Sequence, residues 1–103
     1  SISIQKIMGF TPAVSKINTP LFKVITSVSE RVFGAPVVPT VSTGFTDSHF
    51  FRDLGITSYG YSPFAFKPQE FAGVHGNDER VSVENIVEGI KTFYKVLVDF
   101  AVN

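Results

Sequence analysis

The sequence predicts an α/β fold, namely the C-terminal part of a mostly parallel sheet layered with helices in an incomplete domain. Short β-branched or alternating segments take turns with amphipathic helical segments along the chain, an order that is typical of α/β proteins. The 103 residues are 44% hydrophobic and 17% charged, which is enough apolar material for a core. A long glycine-containing loop precedes the last helical segment, in the position where α/β sheets form ligand crevices.

The first predicted element is a half-buried strand from Ser1 to Ile7, because Ile2 and Ile4 alternate with polar residues. After a connection over residues 8–18, a helix is predicted to begin after Asn18 or Thr19, either of which can cap it, and to end at Gly34. Its apolar positions recur at helical spacing and form one stripe, made of Leu21, Ile25, Val28 and Val32.

The middle of the chain predicts two more strands with a short helix between them. The strands are Val37–Val41, where Pro39 indicates an edge position, and Ile56–Tyr61. The short helix runs from Asp47 to Leu54. Residues 62–78 then read as a long loop, and loops of that length are often functional.

The last element is predicted to be a helix that Ser82 caps, with Glu84 in its first turn near the positive end of the helix dipole. Its apolar face is wide and comprises Val83, Ile86, Val87, Ile90, Phe93, Tyr94, Leu97 and Ala101.

Composition excludes several classes of function. The net charge is zero and no basic block occurs, so we expect neither nucleic acid nor a membrane surface as a partner. The chain has no cysteine, which excludes disulfides and thiolate metal sites. Neither an initiator methionine nor a signal-peptide pattern stands at Ser1, so we expect an excised or processed segment of a longer protein.

His75 is the first candidate functional residue. Gly73 and Gly76 beside it allow the backbone to bring the imidazole close to another group. Asp78 and Glu79 follow and are predicted to orient the imidazole from outside a metal's first ligand shell. On the residues alone, an ordinary exposed loop histidine is the favoured interpretation, because a single histidine with nearby acids is a weak signal.

The turn at residues 44–47 is the second such feature, because it presents backbone N–H groups just before a helix. Such groups form an anion site for a carboxylate or a phosphate. Thr46 and Asp47 as plain helix caps are the alternative interpretation. His49, at the third position of that helix, lies close enough in sequence to join either arrangement.

Two runs of sequence together resemble the M20 metallopeptidases. The run from Thr43 to Ile56, TGFTDSHFFRDLGI, resembles one family segment, and the run from His75 to Val83, HGNDERVSV, resembles the segment that closes the family's catalytic domain. The order and spacing also agree. The second run is most similar to the carboxypeptidase and N-acyl-amino-acid hydrolase branch, and the resemblance covers nearly the whole chain.

The resemblance implies a two-zinc site in which His75 is the last ligand and in which every other ligand and the general base come from upstream. It also implies that Gly44, Thr46 and Asp47 line the substrate pocket, with His49 standing where many members have an arginine. Residues 1–14 would then end the family's lid domain and the return linker, and residues 15–103 would form the C-terminal part of the catalytic domain.

The function that this resemblance implies is amide hydrolysis of peptides or N-acyl amino acids that carry a free carboxylate. The upstream part of the same catalytic domain would be the chain's main partner. Because one imidazole cannot hold a catalytic metal, we predict that the 103 residues are inert alone. The alternative is a non-enzymatic binding module, whose exposed apolar surface would favour self-association.

Overall fold

The computed structural model describes residues 1–102 and contains four helices in this range. They are α1 (Pro20–Phe33), α2 (Ser48–Asp53), α3 (Pro68–Ala72) and α4 (Val83–Ala101). Thr19 caps α1 through its hydroxyl, Gly34 ends α1 with φ 65°, and Ser82 caps α4. The sequence signals therefore predicted α1, α2 and α4 correctly, including both ends of α1 and the start of α4.

The predicted parallel sheet is wrong, because no strand occurs among residues 1–102. Ser1–Ile7, Val37–Val41 and Ile56–Tyr61 are all irregular. A strand is defined by hydrogen bonds to a neighbouring strand, and none of these segments meets such a neighbour within the described residues. Ile2 and Ile4 are more than nine-tenths exposed, so their alternation with polar residues does not mark a buried face here.

The chain divides into two compact units. The first unit contains Ser1–Lys16 and Thr40–Gly60, and the second contains Ile17–Pro39 together with the chain from Tyr61 onward. The proposed boundary between a lid segment, residues 1–14, and a catalytic segment, residues 15–103, stays a prediction. Its last residue, Asn103, lies outside the described range.

The second unit is built on the packing of α1 against α4. Ile25 and Val28 of α1 and Val96 of α4 are its buried apolar side chains, and Val28 is completely shielded from solvent. Thr92 is also buried, and its hydroxyl donates to the Glu88 carbonyl one turn back. Helix α4 also carries an apolar stripe that the described residues leave partly uncovered. The stripe consists of side chains that are 39–62% exposed, namely Ile86, Ile90, Phe93, Leu97 and Phe100.

Helix α3 interrupts the stretch that was predicted to be one long loop. Pro68 occupies the start of α3, where a missing N–H is tolerated, and Glu70 accepts a hydrogen bond from the Lys67 backbone N–H at 2.8 Å. Proline followed by an acid in the first helical turn is a helix-start signal. The prediction missed it because the surrounding prolines and glycines indicated a continuous loop.

Arg52 connects two segments of the first unit by hydrogen bonds. Its guanidinium donates from Nε to the Ser15 hydroxyl at 3.1 Å and from a terminal nitrogen to the Ser58 carbonyl at 2.8 Å. Ser15 in turn donates to the same Ser58 carbonyl at 2.7 Å. The three residues bring the N-terminal segment next to the chain that follows α2.

Within residues 1–102, no helix is both long enough and apolar enough to cross a lipid bilayer.

Candidate functional site

The His75 side chain stands on a tight turn in the second unit. The Gly76 N–H donates to the Gly73 carbonyl at 2.8 Å, which closes a turn of four residues with His75 at its third position. His75 has φ 62°, the left-handed conformation that glycine takes most easily. For a residue with a Cβ this conformation costs about 1 kcal/mol. The turn therefore presents an imidazole at a position where the backbone favours glycine.

The imidazole of His75 is exposed and has no hydrogen-bond partner among residues 1–102. Asp78 and Glu79 are exposed as well, and neither carboxylate bonds to the ring. Their predicted role in orienting His75 stays a prediction. What the structure gives is an unpaired ring nitrogen facing solvent, which is free to meet a group from another part of a protein.

Zinc does not fit the described residues taken alone. Among residues 1–102, no group of three or more His, Cys, Asp or Glu side chains lies close enough to hold a metal ion. Structural and catalytic zinc sites use at least three protein ligands. Residues 1–102 therefore do not supply a complete zinc site around His75.

The turn before α2 lies in the first unit and is solvent exposed from Gly44 to Asp47. The Thr46 hydroxyl accepts the Ser48 N–H at 3.2 Å, so Thr46 does serve as a local cap. Asp47 makes no such bond with its side chain. The Asp47 carboxylate is thus open to solvent, whereas the Thr46 hydroxyl is bonded to the helix. The Gly44 N–H donates to the Ser42 hydroxyl at 3.1 Å.

His49 is the most enclosed polar residue of the first unit, with 9% of its surface exposed. Its ring lies between those of Phe10 and Phe50, with centroid distances of 3.7 and 3.8 Å. Nδ1 lies 2.8 Å from the Thr46 carbonyl, an acceptor, so Nδ1 carries the proton in this arrangement. Nε2 is buried and has no partner.

The tautomer of His49 determines what the residue can bind. In a neutral ring with Nδ1 as the donor to Thr46, Nε2 presents a lone pair. A carboxylate would need a donor at this atom, which requires a second proton on the ring. Nε2 itself is shielded from solvent, so no ligand atom contacts it in this arrangement. The side chain is therefore an acceptor embedded in aromatic rings, which differs from the positive fork of an arginine.

The predicted site residues thus fall into two groups that lie in different units. Gly44, Thr46, Asp47 and His49 are in the first unit. His75, Asp78 and Glu79 are in the second.

Glu70 was missed in the sequence and is the best-connected carboxylate of the second unit. It is 8% exposed, and its two oxygens accept the backbone N–H of Lys67 at 2.8 Å and that of Ser82 at 2.6 Å. The hydrogen bond from Lys67 and then the one from Ser82 lower the pKa of Glu70 below its ordinary value of 4.5. The acid in the first turn of α3 could have identified the bond to Lys67, but no local pattern predicts the bond to Ser82.

The family model for peptidase family M20/M25/M40 matches residues 1–99. With the exposed histidine turn and the two motif segments described above, this match means that the chain belongs to that peptidase family. The similar proteins carry names that are more specific than the name of the family. No solved structure matches the chain significantly.

Two of the similar proteins are N-fatty-acyl-amino acid synthase/hydrolases named PM20D1. The protein from Mus musculus is 33% identical over 61 residues, which are 59% of this chain and 12% of that protein. The one from Xenopus tropicalis is 40% identical over 65 residues, or 63% of this chain and 12% of that protein. A probable carboxypeptidase S-like 1 of Dictyostelium discoideum is 23% identical over 90 residues, which are 84% of this chain and 19% of that protein. The chain thus spans less than a fifth of the length of each of these relatives.

Proposed function

We propose that this chain supplies one metal-ligating imidazole and one substrate-contacting turn to a di-zinc amidohydrolase, and that it is inert when separated from the rest of the enzyme. The observation that carries the proposal is His75, which is exposed, unpaired and held at φ 62°. Unfavourable backbone conformations cluster at functional sites, where the surrounding structure maintains them. Membership of the M20/M25/M40 peptidase family supports the choice of amide hydrolysis.

The proposed substrates are N-acyl amino acids, or peptides with a free C-terminus. The names of the relatives, an N-fatty-acyl-amino acid synthase/hydrolase and a probable carboxypeptidase S-like protein, support this class. The chemistry of the first unit is compatible with it. An N-acyl amino acid carries a carboxylate, which suits the backbone N–H groups at the turn from Gly44 to Asp47, apart from that of Gly44, which donates to the Ser42 hydroxyl at 3.1 Å.

When bound, two zinc ions would supply a nucleophilic hydroxide and polarise the scissile carbonyl. The residues of this chain have simpler tasks in the proposal. His75 donates a lone pair to one metal, and the turn and His49 orient the substrate. The remaining ligands and the proton-transferring glutamate come from the upstream part of the same catalytic domain.

Substituting His75 in the full-length protein tests the proposal. We expect His75→Ala to lower both the bound zinc and the hydrolysis of an N-acyl amino acid by about 100-fold, because one ligand of the metal site is lost. Asn77→Ala, an exposed residue of the same loop, is the matched control and should leave both unchanged. A His75→Ala protein that retains its metal and its turnover would contradict the proposal and favour the non-enzymatic binding module.

The separated chain provides a second test. Calorimetric titration of the 103 residues with zinc should show no micromolar binding, because the described residues offer no group of three ligands. Tight binding that disappears in His75→Ala would mean that the chain contains a metal site of its own.

A further inference from the structure

The loop that carries His75 is closed at its base by a single carboxylate. Glu70 bonds through one oxygen to the N–H of Lys67, where α3 begins, and through the other to the N–H of Ser82, where α4 begins. Residues 71–81, which include His75, lie between Glu70 and Ser82. The two ends of this loop are therefore held together by one side chain.

The connections continue on the far side of Ser82. The Ser82 hydroxyl accepts the Asn85 N–H at 3.1 Å, and the Asn85 side-chain carbonyl accepts the Ala65 N–H at 3.0 Å. The chain before α3 is thus attached to the first turn of α4 at two places, through Asn85 and through Glu70. Both carboxylate and amide are buried, with 8% and 7% of their surfaces exposed.

Inside the loop no side-chain hydrogen bond of the described residues determines its conformation, and the backbone of Asp78 and Glu79 passes close to Gly73. The backbone bonds of residues 71–76 are short-range turns, such as the one from Gly76 to Gly73. His75, Asp78 and Glu79 are exposed and make no side-chain bond within residues 1–102. Because the φ of His75 is unfavourable, the turn is expected to relax to another conformation when the hydrogen bonds of Glu70 are lost. The position of the imidazole depends on the ends of the loop.

We propose that Glu70 is the positioning residue for His75: by accepting the N–H groups of Lys67 and Ser82 it closes the loop and holds the imidazole where the reaction requires it. This inference rests on the proposed function, because it assigns His75 a role in the reaction. Glu70 itself touches neither metal nor substrate. A charged carboxylate is suited to this task because its bonds to N–H groups are stronger than neutral ones.

The test compares Glu70→Gln with wild type in the full-length protein. Glutamine keeps the size of the side chain but replaces one acceptor oxygen with an NH₂ group, so it can accept only one of the two N–H groups well. Glu84→Gln, an exposed carboxylate in the first turn of α4, is the matched control. Amide hydrogen exchange and steady-state kinetics are measured on all three proteins.

For Glu70→Gln we expect about tenfold faster exchange at Lys67, Ser82 and the loop between them, with the interiors of α1 and α4 unchanged. We expect kcat to fall by about tenfold with KM within about twofold, since His75 is not a substrate contact. Glu84→Gln should match wild type in both measurements. Unchanged loop exchange, or a looser loop with unchanged turnover, overturns the inference.

The exchange measurement separates this inference from the proposed function. If the wild-type protein neither binds metal nor hydrolyses amides, the proposed function fails, and exchange alone then decides whether Glu70 holds the loop. If Glu70→Gln does not fold, Glu70→Asp takes its place, because it keeps the charge but is one methylene too short to reach both N–H groups. The same loosening in Glu70→Asp supports the inference, and wild-type exchange overturns it.

Discussion

Replacing Gly89 with alanine should destabilise the second unit, although alanine is the better helix former. Gly89 is a buried residue in the middle of α4. Alanine at an interior helical position is favoured over glycine by about 1 kcal/mol. However, a Cβ at position 89 would overlap the Cδ1 and Cε1 atoms of the Phe64 ring and would lie 3.4 Å from its Cγ. The helical preference is therefore opposed by a steric overlap.

The overlap is the larger of the two terms. Phe64 is only partly exposed and its ring also packs near Phe66, with centroids 5.7 Å apart, so it cannot turn away freely. Inserting a carbon into such a contact costs about 2 kcal/mol. After subtracting the helical gain, we expect Gly89→Ala to lower the free energy of unfolding by about 1 kcal/mol.

A double-mutant cycle isolates the contact, with unfolding in urea followed by helical circular dichroism. In a Phe64→Ala background the overlap is gone, so the same Gly89→Ala change should stabilise by about 1 kcal/mol. The coupling energy between the two positions is then about 2 kcal/mol. If Gly89→Ala stabilises the protein that retains Phe64, or if the two changes are additive, the steric argument is refuted.

Three further predictions concern the ends of the helices. The pKa of Glu70 is lower in the folded protein than in the unfolded chain, so the carboxylate stabilises the fold fully above pH 4.5 and loses this effect as the pH falls through the folded pKa. The free energies of unfolding of wild type and Glu70→Gln, measured in urea, should therefore converge in acid. Gly34→Ala should lower the free energy of unfolding by about 1 kcal/mol. The cause is backbone strain alone, because φ is 65° and no atom lies within 4 Å of the new Cβ. A smaller loss of stability for Gly34→Asn would support this cause, since asparagine tolerates the left-handed conformation better. Ser82→Ala should cost about 1 kcal/mol by removing the cap of α4, and Ser62→Ala, an exposed serine, should change thermal unfolding little.

The helices were predictable because their signals are local. Thr19, Pro20 and Gly34 mark the ends of α1 within a few residues of the helix itself, and the structure has the same ends. The strands were not, because alternation such as that of Ile2 and Ile4 indicates only that a segment suits a sheet. Whether a sheet forms depends on a second segment that supplies hydrogen bonds, and residues 1–102 offer none.

The candidate site was predictable only in part for a related reason. His75 could be selected from its flanking glycines and from the family resemblance, and the structure places it on an exposed turn. The left-handed backbone at His75 and the Nδ1 proton of His49 both depend on hydrogen bonds that no residue pattern records. The same is true of Glu70, whose bond to Ser82 joins positions twelve residues apart.

The uncovered stripe of α4 has a practical consequence for anyone who purifies these residues. Side chains such as Ile90 and Phe93 are 62% and 47% exposed, and water contacts them along most of the helix. Such a surface binds hydrophobic dyes and adsorbs to column resins and vessel walls. We therefore expect the separated chain to self-associate through this surface, and its melting temperature to rise with its concentration.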